Sequence, residues 1–272
     1  TASAANARLT VDATPGLMTY SVNGQTLLKN GAPNFWRGLT DNDEGAVVQR
    51  THAIWKTHTE NRLLRDLSVT GDQVTVHYSF GAGDAHWKNT YRLLEDGALH
   101  VTASFIPLKD DLPDPLRLGL RFDNDPSLTQ VEWYGRGPWE SYSDRKSSAL
   151  VGLYSGTVAE QYHDYIRPQE SGNKTDVRWI ALNDASGKGL KVTGDQFLSV
   201  NALAFPYEDL YLKPKGEGKS SDIQPHGDGS LLIDIAQTGV GGDTGWSLDG
   251  RAHVKYRVKL EPVTYSFTIR PQ

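Results

Sequence analysis

The chain contains no cysteine and a single methionine, Met18. Disulfide staples, thiolate metal sites and thiol nucleophiles are therefore excluded. A chain with no thiol redox state suits cytoplasm or periplasm equally. It has no excess of positive charge: 28 Lys and Arg stand against 33 Asp and Glu, a formal net charge of −5. Duplex recognition needs a basic stripe, so nucleic acid is not an expected partner. No apolar run approaches the roughly 20 residues of a membrane helix, so no membrane partner is expected either. The first sixteen residues lack a charged region leading into an apolar one and do not read as a signal peptide. The start at Thr1, without Met, reads as excision or processing. Strands alternating with long helices are also missing, which excludes a (β/α)₈ barrel or a dinucleotide-binding sheet.

What is present is alternation. A chain of 272 residues is long enough to bury on the order of 75% of its unfolded surface. Over 116–122, Leu116, Leu118, Leu120 and Phe122 share one face, and Arg117 and Arg121 take the other. Over 252–260, Ala252, Val254, Tyr256, Val258 and Leu260 alternate with His253, Lys255, Arg257 and Lys259. The same period recurs at 73–80, 98–105, 231–237 and 264–270, and it marks half-buried antiparallel strands. Turn signals separate the runs at Asn23-Gly24, Asp96-Gly97, Gly227-Asp228-Gly229 and Asp249-Gly250. One helix is expected, over 52–67, where Ile54, His58, Asn61, Leu64 and Leu67 fall near a 3.6 spacing. The fold class is all-β, a large antiparallel sandwich, with residues 1–272 as a single unit. No linker or internal repeat stands out. The polar stretches 113–115 and 213–221 read as loops, the second as the best candidate for a mobile one.

Four segments break the alternation and concentrate Trp, Gly and charge. The first, over 33–45, holds Arg37 and the run Asp41-Asn42-Asp43-Glu44-Gly45. A calcium loop is disfavoured, because Ala46 stands where the sharp turn needs Gly and His52 where the terminal Glu belongs. The expected arrangement is Asx side chains on nearby backbone N–H groups, with Arg37 paired to one carboxylate. The second, over 133–145, mixes Trp133, Tyr134, Trp139 and Tyr142 with Glu140, Asp144 and Arg145. That composition suits a sugar surface, with rings on C–H faces and charged groups on hydroxyls. It suits equally a loop pinned by an internal Arg–carboxylate pair. The third, over 165–179, reads as an ordered polar turn entering a strand. The fourth is Gly239-Val240-Gly241-Gly242-Asp243-Thr244-Gly245-Trp246. It is no phosphate loop, because no Gly-Lys-Ser/Thr ending or helix follows. On composition alone, Trp246 reads as a core plug ahead of a ligand platform.

Other chemistry is weakly signalled. No Gly-x-Ser-x-Gly elbow occurs, and the eight His show no metal-ligand spacing. His226 is a lone loop histidine, read as solvated. A carboxylate pair for glycoside hydrolysis is defined by distance in space, which spacing along the chain does not reveal.

Together the four segments resemble the C-terminal domain of the large β-galactosidases of glycoside hydrolase family 2, also called the β-galactosidase small chain. The resemblance is carried by Asn34-Phe35-Trp36-Arg37 with Thr40-Asp41-Asn42-Asp43-Glu44-Gly45, and by Tyr134-Gly135-Arg136-Gly137-Pro138-Trp139-Glu140-Ser141-Tyr142-Ser143-Asp144-Arg145. It continues in Pro168-Gln169-Glu170-Ser171-Gly172-Asn173, Val177-Arg178-Trp179 and Gly239-Val240-Gly241-Gly242-Asp243 with Trp246. Order and spacing agree from about residue 8 to the C-terminus.

The resemblance implies a β-supersandwich similar to the galactose mutarotase fold. It implies that the two catalytic glutamates lie on a separate barrel domain. The magnesium and sodium sites lie largely on other domains too, so no cofactor or metal is expected in this chain. The domain would cover the active-site mouth, its Trp stacking on the sugar. By position that residue is Trp246, with Asp243 in the same loop as the other substrate contact. The family often has Ser or Asn before this Trp. Gly245 here departs from that pattern, implying a looser loop and a different sugar preference. Arg37, Asp41, Asp43, Glu140 and Arg145 match the motifs and are assigned to holding the loops or docking on the barrel. No catalytic residue is assigned.

The expected partners are thus a galactoside and the barrel-containing domains or large subunit of a β-galactosidase, and the isolated chain is expected to be inactive. An unusually large apolar patch would mark the docking face. One alternative is a free-standing mutarotase-like enzyme, which needs a His and a carboxylate converging in one cleft. His77, His100 and His253 sit on expected outward strand positions and give it little support. The other alternative is a galactoside-binding module built on Trp139 and Trp246.

Overall fold

A computed structural model describes residues 1–211 and 218–272. The chain opens with a meander of β1 (Ala2–Ala4), β2 (Ala7–Val11), β3 (Met18–Val22) and β4 (Gln25–Asn34). Three short helices follow: α1 (Asp41–Gly45), α2 (Val48–Thr51) and α3 (Ala53–Glu60). A second meander comprises β5 (Leu63–Thr70), β6 (Gln73–Phe80), β7 (Ala85–Leu93) and β8 (Leu99–Pro107). The remaining strands are β9 (Arg117–Asn124), β10 (Gln130–Gly137), β11 (Leu150–Thr157), β12 (Lys174–Asn183), β13 (Gly189–Leu203), β14 (Gly229–Gln237) and β15 (Val263–Pro271). All pairings are antiparallel, and the fifteen strands form one sheet.

The main path runs β1-β2-β3-β4-β9-β14-β13-β15-β8-β7-β6-β5. β10 branches from β12, and β11 pairs with β10. Right-handed twist, summed over so many strands, curls the sheet back on itself. The two meanders thereby face each other across the core. Tyr20 of β3 donates to the Gly97 carbonyl at 2.7 Å, and Tyr78 of β6 donates to the Gly16 carbonyl at 2.6 Å. Phe122 of β9 lies against Phe267 of β15 at a ring separation of 6.5 Å. Phe35 packs within 5.0–5.7 Å of the rings of Trp55, Phe80, Trp87 and Phe105. The all-β antiparallel class is thus the observed one.

The turn at Asn23-Gly24 is a two-residue hairpin between β3 and β4 with φ of 52° and 82°, which the Asn-Gly pair accommodates. Four local expectations are corrected. The helix expected over 52–67 stops at Glu60, and Leu64 and Leu67 lie in β5. Pairing of Leu63–Thr70 with β6 overrides the helical spacing. No strand forms over 252–260: a 3₁₀ turn at Val254–Tyr256 lies within irregular chain. β15 already has β13 and β8 on its two sides, so its ladder has no free edge to offer the preceding segment. Asp249-Gly250 accordingly closes a 3₁₀ turn, not a hairpin. Finally, Arg117, on the face opposite the core residues Leu118, Leu120 and Phe122, is not solvent-facing but fully buried. Of the expected mobile loop 213–221, residues 213–217 lie outside the described residues, and Ser220–Asp222 form a 3₁₀ turn.

Candidate functional site

All four segments that break the alternation meet at one end of the sheet. They are α1 with its approach 35–40, the β10–β11 connection 138–149, the approach to β12 over 163–173, and the β14–β15 connection 238–262. Their meeting is built on polar anchors.

Arg37 is the first. Its Nη2 and Nε donate to Asp43 Oδ1 and Oδ2 at 2.8 and 2.9 Å, a bidentate pair with no exposure at the guanidinium. The remaining donors reach the carbonyls of Thr238 and Gly239 at 2.5 and 2.9 Å. Burial disfavours the Arg37 charge, but the Asp43 carboxylate outweighs it and the guanidinium pKa is raised. Asp43 serves twice, since its Oδ2 accepts from the Thr40 N–H at 3.0 Å while Thr40 Oγ1 accepts from the Asp43 N–H at 3.1 Å. That reciprocal cap starts α1. The expected Asx-to-backbone bonding and the Arg37–carboxylate pair are both observed.

α1 in turn holds the fourth segment. Asn42 Nδ2 donates to the carbonyls of Thr244 and Gly250 at 2.9 and 3.2 Å. Gly45 lies so close that a Cβ there would strike the Gly245 carbonyl and the Trp246 backbone. Asp144 accepts from the N–H groups of Val240 and Gly241 at 3.1 and 2.9 Å. The Asp243 N–H donates to the Asp249 carbonyl at 2.8 Å, and its exposed carboxylate lies 2.8 Å from His253 Nε2. Trp246 is thus carried on an anchored loop and is itself 82% exposed. The core-plug reading is overturned, because Gly245 and Trp246 rest on α1 by their backbone and leave the ring outside.

Glu140 anchors the second and third segments. It accepts from Arg145 Nη1 at 2.8 Å, the Tyr142 hydroxyl at 3.1 Å and the Gly172 N–H at 2.8 Å, and also from the Tyr165 hydroxyl. The internal pair that pins this loop is therefore present, and Trp139 beside it is 66% exposed. Asp41 pairs with Arg167 at the surface and accepts from Gln169 Nε2 at 3.4 Å, joining the third segment to α1. Ile166, Leu248 and Val254 are also exposed on these loops.

Beneath the loops lies a dry ion network. Arg117 donates to Asp234 at 2.7 Å, to Glu170 at 2.9 Å and to the Tyr207 hydroxyl at 2.8 Å, and the three charged side chains are fully buried. Tyr207 in turn donates to Glu170 at 2.7 Å, and Asn201 donates to Glu170 at 3.0 Å. Burial pushes the Asp234 carboxyl up to about 6, further than the Arg117 charge pulls it down. Lys174, under the Trp133 ring and donating to the Gly172 carbonyl at 3.1 Å, is pushed down to about 8 by burial.

Sequence reasoning found Arg37, Asp41, Asp43, Glu140, Arg145, Asp243 and Trp246, and the structure brings all seven to this end. It missed Asn42, Gly45 and Asp144 as anchors, and Glu170 with Arg117. The clue for Gly45 was its place at the end of an acidic run. For Arg117 there was no clue, since an Arg at an alternate strand position reads as outward. His226 pairs with Asp209 at 2.5 Å on an exposed loop, and His253 with Asp243. Asp234 and Glu170 are committed to Arg117, with no histidine among their partners in the described residues, while the buried His58 pairs with Asp84 at 3.0 Å, away from them, so the mutarotase-like alternative is the less supported one. Among the described residues, no group of three or more His, Asp or Glu is placed to hold a metal ion.

Residues 3–269 match the family described as beta galactosidase small chain. The chain is 30% identical over 266 residues to a beta-galactosidase of Priestia megaterium, covering 93% of this chain and 24% of that protein. It is 33% identical over 243 residues to a beta-galactosidase of Lactobacillus delbrueckii subsp. bulgaricus, covering 84% and 23%. It therefore spans about a quarter of the length of these relatives. Among solved structures, it is similar to a galactose mutarotase related enzyme from Lactobacillus acidophilus, with a TM-score of 0.41, 7% identity, and 79% and 72% of the two chains covered.

Proposed function

The chain belongs to the β-galactosidase small-chain family, and we propose that it completes the mouth of a β-galactosidase active site whose catalytic glutamates lie outside it. The observation that carries the reading is the 82% exposed Trp246 on a loop tied to α1 and to Asp144. The backbone anchors hold the indole out as a flat, open ring face available for stacking. A galactoside's C–H face suits a flat ring, and the neighbouring Asp243 carboxylate suits hydroxyl groups. His253 lies beside that carboxylate and orients it. The other anchors hold the loops and take no part in bond breaking.

The test is hydrolysis of a chromogenic β-galactoside by the enzyme carrying this chain, with and without Trp246→Ala. Loss of a stacking contact of this kind costs about 1–3 kcal/mol, roughly a 5- to 150-fold drop in kcat/KM. The chain alone should be inactive until mixed with the rest of the enzyme. Activity of the chain by itself would sink the reading, as would an unchanged kcat/KM in the variant.

A further inference from the structure

An antiparallel sheet leaves N–H and C=O groups open at each edge, and proteins ordinarily blunt those edges with brevity, charge or bulges. Among the described residues the sheet ends in three edge strands: β1, β5 and β11. β1 is three residues long. β5 carries Arg65 and Asp66 and a break in register between Leu64 and Asp66. β11 has none of these defences. It is eight residues, Leu-Val-Gly-Leu-Tyr-Ser-Gly-Thr, with no charge and no proline. Its register against β10 is unbroken from Gln130↔Thr157 to Gly137↔Leu150.

The edge is also apolar and open on both faces. Leu150 is 70% and Leu153 is 65% exposed, and Val151 is exposed as well. Leu153 lies directly opposite Tyr134, itself exposed, and Val151 opposite Arg136. The Thr157 N–H is turned away from β10, because it donates to Glu160 Oε2 at 2.8 Å. Antiparallel ladders alternate, so the backbone groups of Val151, Leu153 and Ser155 also point away from β10. Thr157 is capped from both sides, since Gln161 Nε2 donates to its carbonyl at 3.0 Å. Among the described residues nothing caps the other three.

We propose that β11 is a docking edge that receives an extended, uncharged segment from the part of the β-galactosidase outside this chain, added as a further antiparallel or parallel strand. Main-chain bonds to Val151, Leu153 and Ser155 would give affinity, and apolar side chains over Leu153 and Tyr134 would set the register. The remainder of the enzyme is the occupant because the chain spans only about a quarter of its relatives, 24% and 23% of two of them. This inference rests on reading the chain as one part of a larger enzyme, and not on the role of Trp246.

Amide hydrogen exchange on the intact full-length β-galactosidase tests it. Outward amides at 151, 153 and 155 should exchange at least about 100-fold more slowly than those of β5, as central strands do. Leu153→Lys should abolish that protection and weaken assembly or activity, whereas Val69→Lys on the defended β5 should leave both unchanged. Exchange at 151, 153 and 155 as fast as in β5 overturns the proposal. So does a disulfide joining two copies of a Leu153→Cys variant through β11, which would make a second copy the occupant. Protection with a kinetically silent Trp246→Ala would retain the docking edge and discard the mouth reading. Fast exchange with an impaired Trp246→Ala would do the reverse.

Discussion

Arg37 and Lys174 are both buried cations near the loop cluster, and their surroundings set them apart. Arg37 has a bidentate carboxylate and two carbonyls, so its donors are satisfied and its charge is held. Removing one member of such a pair leaves the other charged and dry, at a cost of about 3–5 kcal/mol. Asp43→Ala should therefore lower the unfolding free energy obtained from urea titration by that much. A loss below 1 kcal/mol would mean that water replaces the carboxylate. Lys174 accepts burial with one carbonyl bond and an indole ring, 5.1 Å away, as company. Its folded pKa of about 8 lies below the unfolded value of 10.5. The unfolded chain therefore binds the proton more tightly, and this group's contribution to stability is present above pH 10.5 and lost as pH falls through 8. In unfolding measurements, the stability of Lys174→Met relative to the parent should be greatest near pH 7 and decline as the pH is raised toward 10. A difference flat across that range would show a lysine that titrates normally.

At the scale of elements, the joint between α1 and α2 is the strained one. Val47 sits at φ 62° and ψ 25°, a left-handed conformation that a β-branched residue resists. It is held there because its carbonyl accepts from the N–H groups of Arg50 and Thr51 at 3.0 and 3.1 Å. Strain of this kind costs on the order of 1–3 kcal/mol. Asn tolerates the left-handed region, so Val47→Asn should raise the melting temperature, by roughly 2–4 °C for each kcal/mol relieved. A lower melting temperature would mean that packing of the valine methyls outweighs the strain. This joint was invisible beforehand because the alternation that announces strands is silent over 41–51. The helix expected over 52–67 failed for a related reason. A short amphipathic run satisfies both periods, and only the partner strand β6 decides which is adopted.

For the whole molecule, the relevant fact is that segments as far as 208 residues apart in sequence hold one another. Asn42 bonds the carbonyls of Thr244 and Gly250, and Asp144 bonds the N–H groups of Val240 and Gly241. The Trp246 ring is thereby positioned from α1. Gly45→Ala, which places a methyl against the Gly245 carbonyl, should displace the ring without touching it. In the full enzyme it should lower kcat/KM in the same direction as Trp246→Ala, and the two changes together should be markedly less than additive. Full additivity would mean that α1 does not set the ring.

Composition and the period-two pattern determined the all-β class, because alternation is a local consequence of putting one strand face in a core and the other in water. The broken alternation, rich in Gly, Trp and Asx, determined where the loop cluster would lie, and the ordered motifs determined the family. Tertiary structure decided the rest. Whether Arg117 faced water or Asp234 and Glu170 depended on carboxylates 53 and 117 residues away. Whether 252–260 became a strand depended on both sides of β15 being taken. Whether Trp246 was core or surface depended on the Asn42 and Gly45 contacts. Each is settled by a long-range partner, and a pattern read along the chain reports a residue's own preference but not which neighbours folding brings to it.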